Sequence, residues 1–182
     1  AKNGDHGIFN GAQGGPNSNL KVYNSTVAQN MNQGVRRENG QLEVINSTVT
    51  ENGGYGIRIL GGGKVDIHNT ILYGNEDQDC RRSDGSNANV TTSYSIVGSY
   101  KRCGIEPLAD NNNLTTDPKL GDYVMDGEFE DEIGRVFLLS TFRLIELYPL
   151  AADSPAIDAG SDDKASGLLQ GEDQRGSPRQ VG

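Results

Sequence analysis

Arg36, Arg58 and Arg81 follow Phe9 along the chain at intervals of 27, 22 and 23 residues. If these intervals are turns of one repeat, the four side chains stack in a column on one outer face. Guanidinium groups are planar forks that take carboxylates and sulfates bidentately. A row of them beside an aromatic ring suits an anionic polysaccharide, because like charges about 5 Å apart repel unless an anion lies between them. The competing reading is local neutralisation by Glu38, Asp77, Asp79 and Asp84. His6, Gln33 and Tyr55 each precede a member of the column by three residues. β-Elimination or epimerisation of a uronate needs a carboxylate neutraliser and a base near C5, roles that Arg58 with Tyr55, or with His6, could be given. Nothing in the sequence converges on a catalytic set, so no catalytic residue is assigned. His6 and His68 are expected to be idle.

Two further constellations carry chemistry. Cys80 and Cys103 are 23 residues apart, one repeat, which puts them on neighbouring rungs within the Cα–Cα range of a disulfide. A structural disulfide is expected over a nucleophile or metal pair. The acidic run from Asp122 to Glu132 offers Asp122, Asp126 and Glu128 to calcium. Its spacing is not that of an EF-hand, so a solvated loop is the expectation, and no cofactor or other metal is predicted.

The elements that must position these groups are legible as copies. Leu20-Lys-Val-Tyr-Asn-Ser-Thr-Val27, Leu42-Glu-Val-Ile-Asn-Ser-Thr-Val49 and Val65-Asp-Ile-His-Asn-Thr-Ile-Leu72 repeat with their asparagines Asn24, Asn46 and Asn69 spaced by 22 and 23 residues. Asn30, Asn52 and Asn75 keep the same spacings. A short period shared by apolar and asparagine positions marks a solenoid that stacks like on like. Alternating apolar residues in each copy indicate half-buried strands. Both asparagine series are expected to form ladders in which side-chain amides bond from coil to coil, the alternative being that Asn only marks turns. A second strand starts at Gly7-Ile8-Phe9, Gly34-Val35-Arg36 and Gly56-Ile57-Arg58, continuing at Cys80-Arg81. Gly11–Ser18 is a loop insertion. Val90, Tyr94, Ser95, Ile96 and Val97 match Val65, Asn69, Thr70, Ile71 and Leu72 in one more, degenerate coil.

The expected architecture is all-β, a right-handed parallel β-helix of about four to five coils over residues 1–105, the hand following from the general preference for right-handed crossovers. Residues 106–182 lose the repeat and are expected to form a C-terminal cap over the last open coil. Val136–Tyr148, the most apolar stretch, fits either a strand pair or a capping helix. The 182 residues contain 25 Gly, no Trp and only 34% hydrophobic residues, low for a compact globule but sufficient where each coil buries few side chains. A net charge of -9 argues against nucleic acid as a partner. No run approaches the roughly 20 apolar residues of a membrane span. The chain reads as a segment of a longer protein.

The tail Asp153-Ser-Pro-Ala-Ile-Asp-Ala-Gly160, followed by Asp173-Gln-Arg-Gly-Ser-Pro-Arg179, resembles the end of the choice-of-anchor Q domain of bacterial secreted and surface proteins with parallel β-helix repeats. Asn69–Asn75, Asp79-Cys80, Tyr94–Gly98, Cys103 and Asp117–Gly121 occur in that family's order. The resemblance spans roughly residues 65–180; it implies an extracellular or cell-surface setting and no particular reaction. Asp158, Asp173 and Arg175 are expected to tie the tail to the cap. The functional expectation is a non-catalytic scaffold, adhesin or self-assembling module, with anionic polysaccharide or copies of itself as partners. A polysaccharide lyase or epimerase acting on uronates is the alternative.

Overall fold

The computed structural model describes residues 4–11, 18–105, 111–126, 129–130, 136–137 and 145–161. It is a parallel β-solenoid of about four turns, as the repeat requires. The first coil consists of β1 (Ile8–Asn10), β2 (Asn19–Tyr23) and β3 (Thr26–Ala28), and the second of β4 (Val35–Arg37), β5 (Gln41–Ile45) and β6 (Thr48–Thr50). The third is β7 (Ile57–Ile59), β8 (Lys64–His68) and β9 (Ile71–Tyr73), and the fourth β10 (Cys80–Arg82), β11 (Asn89–Ser93) and β12 (Ile96–Val97). Corresponding strands pair into three parallel sheets, β1-β4-β7-β10, β2-β5-β8-β11 and β3-β6-β9-β12. Parallel pairing continues as far as Leu114, which bridges Ile96.

Register follows from the alternation. Leu42 pairs with Leu20 and Val65, and Val44 with Val22 and Ile67, so each inward residue lands on its copy. Val35, Leu42, Val44, Val49, Ile57, Ile59, Val65 and Ile67 are wholly buried. Each such side chain stabilises the fold by about 1.5–3 kcal/mol relative to exposure. A one-residue slip would turn all of them to solvent.

The two asparagine series do different things, which corrects the expectation of two ladders. Asn30, Asn52 and Asn75 do form one: Asn30 Nδ2 donates to Asn52 Oδ1 at 2.7 Å and Asn52 Nδ2 to Asn75 Oδ1 at 2.8 Å. The backbone amides of Asn30 and Asn52 donate to the same two oxygens at 3.2 Å. Asn24, Asn46 and Asn69 are instead the corners, at φ of 46°, 51° and 48°, where the left-handed conformation favours Asn over branched residues. Asn69 turns outward to Ser161, accepting its N–H at 2.9 Å and donating to its carbonyl at 2.6 Å. Both polar atoms of the Asn46 amide are buried without a hydrogen-bond partner among the described residues. The inward polar position at this corner belongs to the next residue: Ser47 Oγ accepts from Ser25 N, Ser95 Oγ from Thr70 N, and Asn113 Oδ1 from Ser95 N, at 3.1–3.2 Å. The second corner obeys the same rule, since Gln29, Glu51 and Gly74 have positive φ and immediately precede the ladder asparagines.

Where the next coil offers no asparagine, Asp79 ends the ladder. Its Oδ1 accepts from Asn75 N at 3.0 Å and Asn75 Nδ2 at 2.8 Å, and its Oδ2 accepts from Ser99 N and Oγ. Cys80 and Cys103 form the expected disulfide, with Cα atoms 5.2 Å apart. Beyond the coils, β13 (Val124–Asp126) pairs antiparallel with β16 (Ile145–Leu147), and β14 (Phe129–Glu130) with β15 (Val136–Phe137). The described ends of Val136–Tyr148 are therefore strands. Residues 148–161 run back along the coils rather than only onward from them. Tyr148 donates its hydroxyl to Glu51 at 2.5 Å and accepts from Gln29 Nε2 at 3.0 Å, and Ser161 holds Asn69, so this stretch reaches back to the first three coils.

Candidate anion-binding face

The first sheet delivers the arginine column. Phe9 pairs with Arg36, Arg36 with Arg58, and Arg58 with Arg81. Arg81 in turn bridges Arg102 in parallel, adding a fourth guanidinium. Sequence reasoning missed Arg102, although its 21-residue interval from Arg81 and its place beside Cys103 were available. These arginines point out because their neighbours point in: Val35, Ile57, Ile59 and Cys80 flank them along the strands and are wholly buried.

Each rung has its own surroundings. Arg36 lies 5.4 Å from the Phe9 ring centroid, donates from Nη2 to Glu38 Oε1 at 2.9 Å, and approaches His6 Nε2 at 3.5 Å. Arg81 pairs with Asp84 at 3.5 Å, but Asp84 is 95% exposed, so water screens that pair. Arg58 sits over the Tyr55 ring at 5.1 Å, and its Nε is buried without a hydrogen-bond partner among the described residues. No carboxylate lies within ion-pair distance of Arg58 among the described residues. Local neutralisation thus reaches Arg36 and, through a screened pair, Arg81, and among the described residues no ion pair reaches Arg58 or Arg102. Asp79, expected among the neutralising acids, is withdrawn into the ladder at 4% exposure. Asp77 is placed by its backbone, its N–H donating to the Gly54 carbonyl at 3.2 Å.

The adjoining arginine has the opposite fate. Arg37 is wholly buried, and its two terminal nitrogens donate to the carbonyls of Gly40, Gly61 and Gly62. Burial lowers its pKa from the ordinary arginine value. It clamps the turns between the first and second sheets and presents nothing to a ligand.

The remaining sequence-predicted groups are scattered. His6 stacks near Phe9 at 5.7 Å and Gln33 is buried. His6 and Tyr55 belong to coils two turns apart, so the structure does not gather them around one point. His68 is buried on another sheet, with Nδ1 2.7 Å from Ser93 Oγ and its ring edge-on to Tyr94 at 5.5 Å. Of the calcium candidates, Asp122 is exposed, Asp126 lies in β13, and Glu128 lies outside the described residues. Among the described residues no three His, Cys, Asp or Glu side chains are grouped to hold a metal. Asp158 occupies a left-handed turn at φ 56°, and Asp173 and Arg175 lie outside the described residues. No helix is long and apolar enough to cross a membrane among the described residues.

The arrangement is a linear, half-buried cationic strip on a rigid sheet, with aromatic rings beside two of its rungs. No family model matches the chain, and no curated protein or solved structure is detectably similar to it.

Proposed function

We propose that this chain is a non-catalytic β-solenoid segment of a bacterial surface protein that contacts acidic polysaccharide along its arginine column. Arg58 carries the reading. A guanidinium held by an aromatic ring, with a buried N–H unmatched and no acid beside it, is poised for an external carboxylate or sulfate. The strip has a rung spacing of about 4.8 Å set by the sheet, so it recognises charge repeated along a polymer better than a single ion. The tail's resemblance to choice-of-anchor Q domains supports the extracellular setting.

Binding to heparin, alginate and pectate by calorimetry tests it. Arg58→Ala should weaken the preferred polymer about tenfold, as expected for one charged hydrogen-bond group. Raising salt should weaken wild type more than the variant. Unchanged affinity in Arg58→Ala removes the column from the explanation. Turnover of these polymers, followed by the ultraviolet absorbance of unsaturated uronates and abolished by Arg58→Ala, would replace adhesion by a lyase.

A further inference from the structure

We infer that a cavity of about 580 Å³ at the end of the arginine column is a terminal subsite that takes one acidic sugar, holding its carboxylate or sulfate between Arg82, Lys101 and Arg102. The inference rests on reading the column as a polysaccharide face, and it assigns the place where the chain end is held.

The cavity is continuous with the column. Arg102, which bridges Arg81 along the sheet, lines the cavity, and Asp84, the ion-pair partner of Arg81, lines it too. Its volume falls within the roughly 300–1,000 Å³ of small-molecule sites. Its walls are unlike an apolar ligand pocket, since three cations, Asp84 and two serines line it. Three positive charges against one carboxylate leave an excess that favours an anion. The single acid is engaged with Arg81 and points to solvent, so it does not cancel that excess.

One of the three cations is held in place. Arg82 donates from Nη1 to the Ala88 carbonyl at 3.0 Å, which fixes its fork on one side. Gly104, at φ +80°, lets the chain pass against that fork: a Cβ there would come within 2.7 Å of the Arg82 Cζ. A side chain at 104 would therefore occupy the space in front of the guanidinium. The Cys80–Cys103 disulfide joins the two walls, for Cys80 is two residues before Arg82 and Cys103 lies between Arg102 and Gly104. Both cysteines are wholly buried. A donor fixed beforehand, as Arg82 is, binds with less ordering cost. Ser86 Oγ donates to the Gly61 carbonyl at 2.8 Å and accepts from the Ala88 N–H at 3.3 Å, which holds this wall of the cavity as well.

The test uses the full chain and two disaccharides, one of galacturonate and one sulfated, titrated by nuclear magnetic resonance. Lys101 and Arg102 are exposed, so Lys101→Gln combined with Arg102→Gln leaves the core intact. That double variant should lose about tenfold or more in affinity for the disaccharide that binds. Arg58→Ala should keep disaccharide affinity within about twofold while losing polymer affinity. Whichever disaccharide binds identifies carboxylate or sulfate as the preferred group. Disaccharide affinity unchanged in the double variant, with polymer binding still sensitive to Arg58→Ala, overturns the subsite and leaves the column standing. Failure of wild type to bind either disaccharide or any of the polymers overturns both.

Discussion

Asn52 and Asn46 are six residues apart and have opposite relations to the core. The Asn52 amide accepts from the coil below, donates to the coil above, and also donates to the carbonyls of Val27 and Thr50 at 3.1 and 3.0 Å. Replacing it with Ala strands several buried groups, and urea unfolding should show a loss of about 3 kcal/mol or more. Asn46 is there for its backbone. Asn46→Gly, which adopts the same positive φ freely, should stay within about 0.5 kcal/mol of wild type, whereas Asn46→Val should lose about 1–2 kcal/mol. Equal losses at Asn46→Gly and Asn52→Ala would contradict this division. Tyrosines add a pH dependence at the same scale. Burial, with a hydrogen bond to Glu43, pushes Tyr23 up to about 12 from 10.0; burial and Glu51 raise Tyr148 as well. The unfolded phenol loses its proton first, so the stabilisation is complete below pH about 10 and declines as pH rises through the folded values. Thermal unfolding followed from about pH 9 to about pH 11 should therefore fall more steeply in wild type than in Tyr23→Phe.

The unit of the fold is the coil, and glycine columns keep the coils close. A Cβ on Gly34 would lie 2.7 Å from Asn52 Nδ2 and 2.8 Å from the Gly56 carbonyl, and one on Gly56 would meet Asn75 Nδ2 and the Asp79 carbonyl at 2.6 Å. The ladder amide thus takes the space that a side chain would need. In the fourth coil Asp79 replaces this glycine, and its own carboxylate folds inward to become the terminal acceptor. Asp79→Asn keeps one acceptor oxygen but exchanges the other, which receives two donors from Ser99, for an N–H₂ group; it should cost about 1–3 kcal/mol in urea unfolding. The disulfide closes the last coil across a separation of 23 residues. Its replacement by alanines should lower stability by about 3 kcal/mol on chain-entropy grounds. An unchanged unfolding midpoint for the alanine pair would show that stacking alone holds Arg102 beside Arg81.

At the scale of the molecule, residues 148–161 run back along the stack and are held to it by a few side-chain hydrogen bonds. Tyr148 and Ser161 anchor that segment on Glu51, Gln29 and Asn69, while Gly121 N–H donates to the Pro149 carbonyl at 2.7 Å and Ala151 N–H to the Lys119 carbonyl at 3.0 Å. Tyr148→Phe combined with Asn69→Ala should speed hydrogen exchange at Gly121 and Ala151 and leave the amide of Asn52 protected. Uniform acceleration would mean that the segment and the coils open together. Stacking itself was legible from residue spacing, because in a solenoid every residue meets the copy one period away; that is why the pairing of Leu42 with Val65, the cysteine bridge and the arginine column all follow from the sequence alone. The sequence could not say which asparagine turns inward, since two series share the same period and only the backbone φ at each corner separates them. Nor could it show that Asp79 leaves the surface to end the ladder, that Arg37 is buried while Arg36 faces out to Glu38, or that Ser161 grips Asn69 across 92 residues. Contacts of that kind carry no periodic signal. They depend on which carbonyls and amides a folded turn brings within hydrogen-bond reach, and the tertiary structure alone decides them.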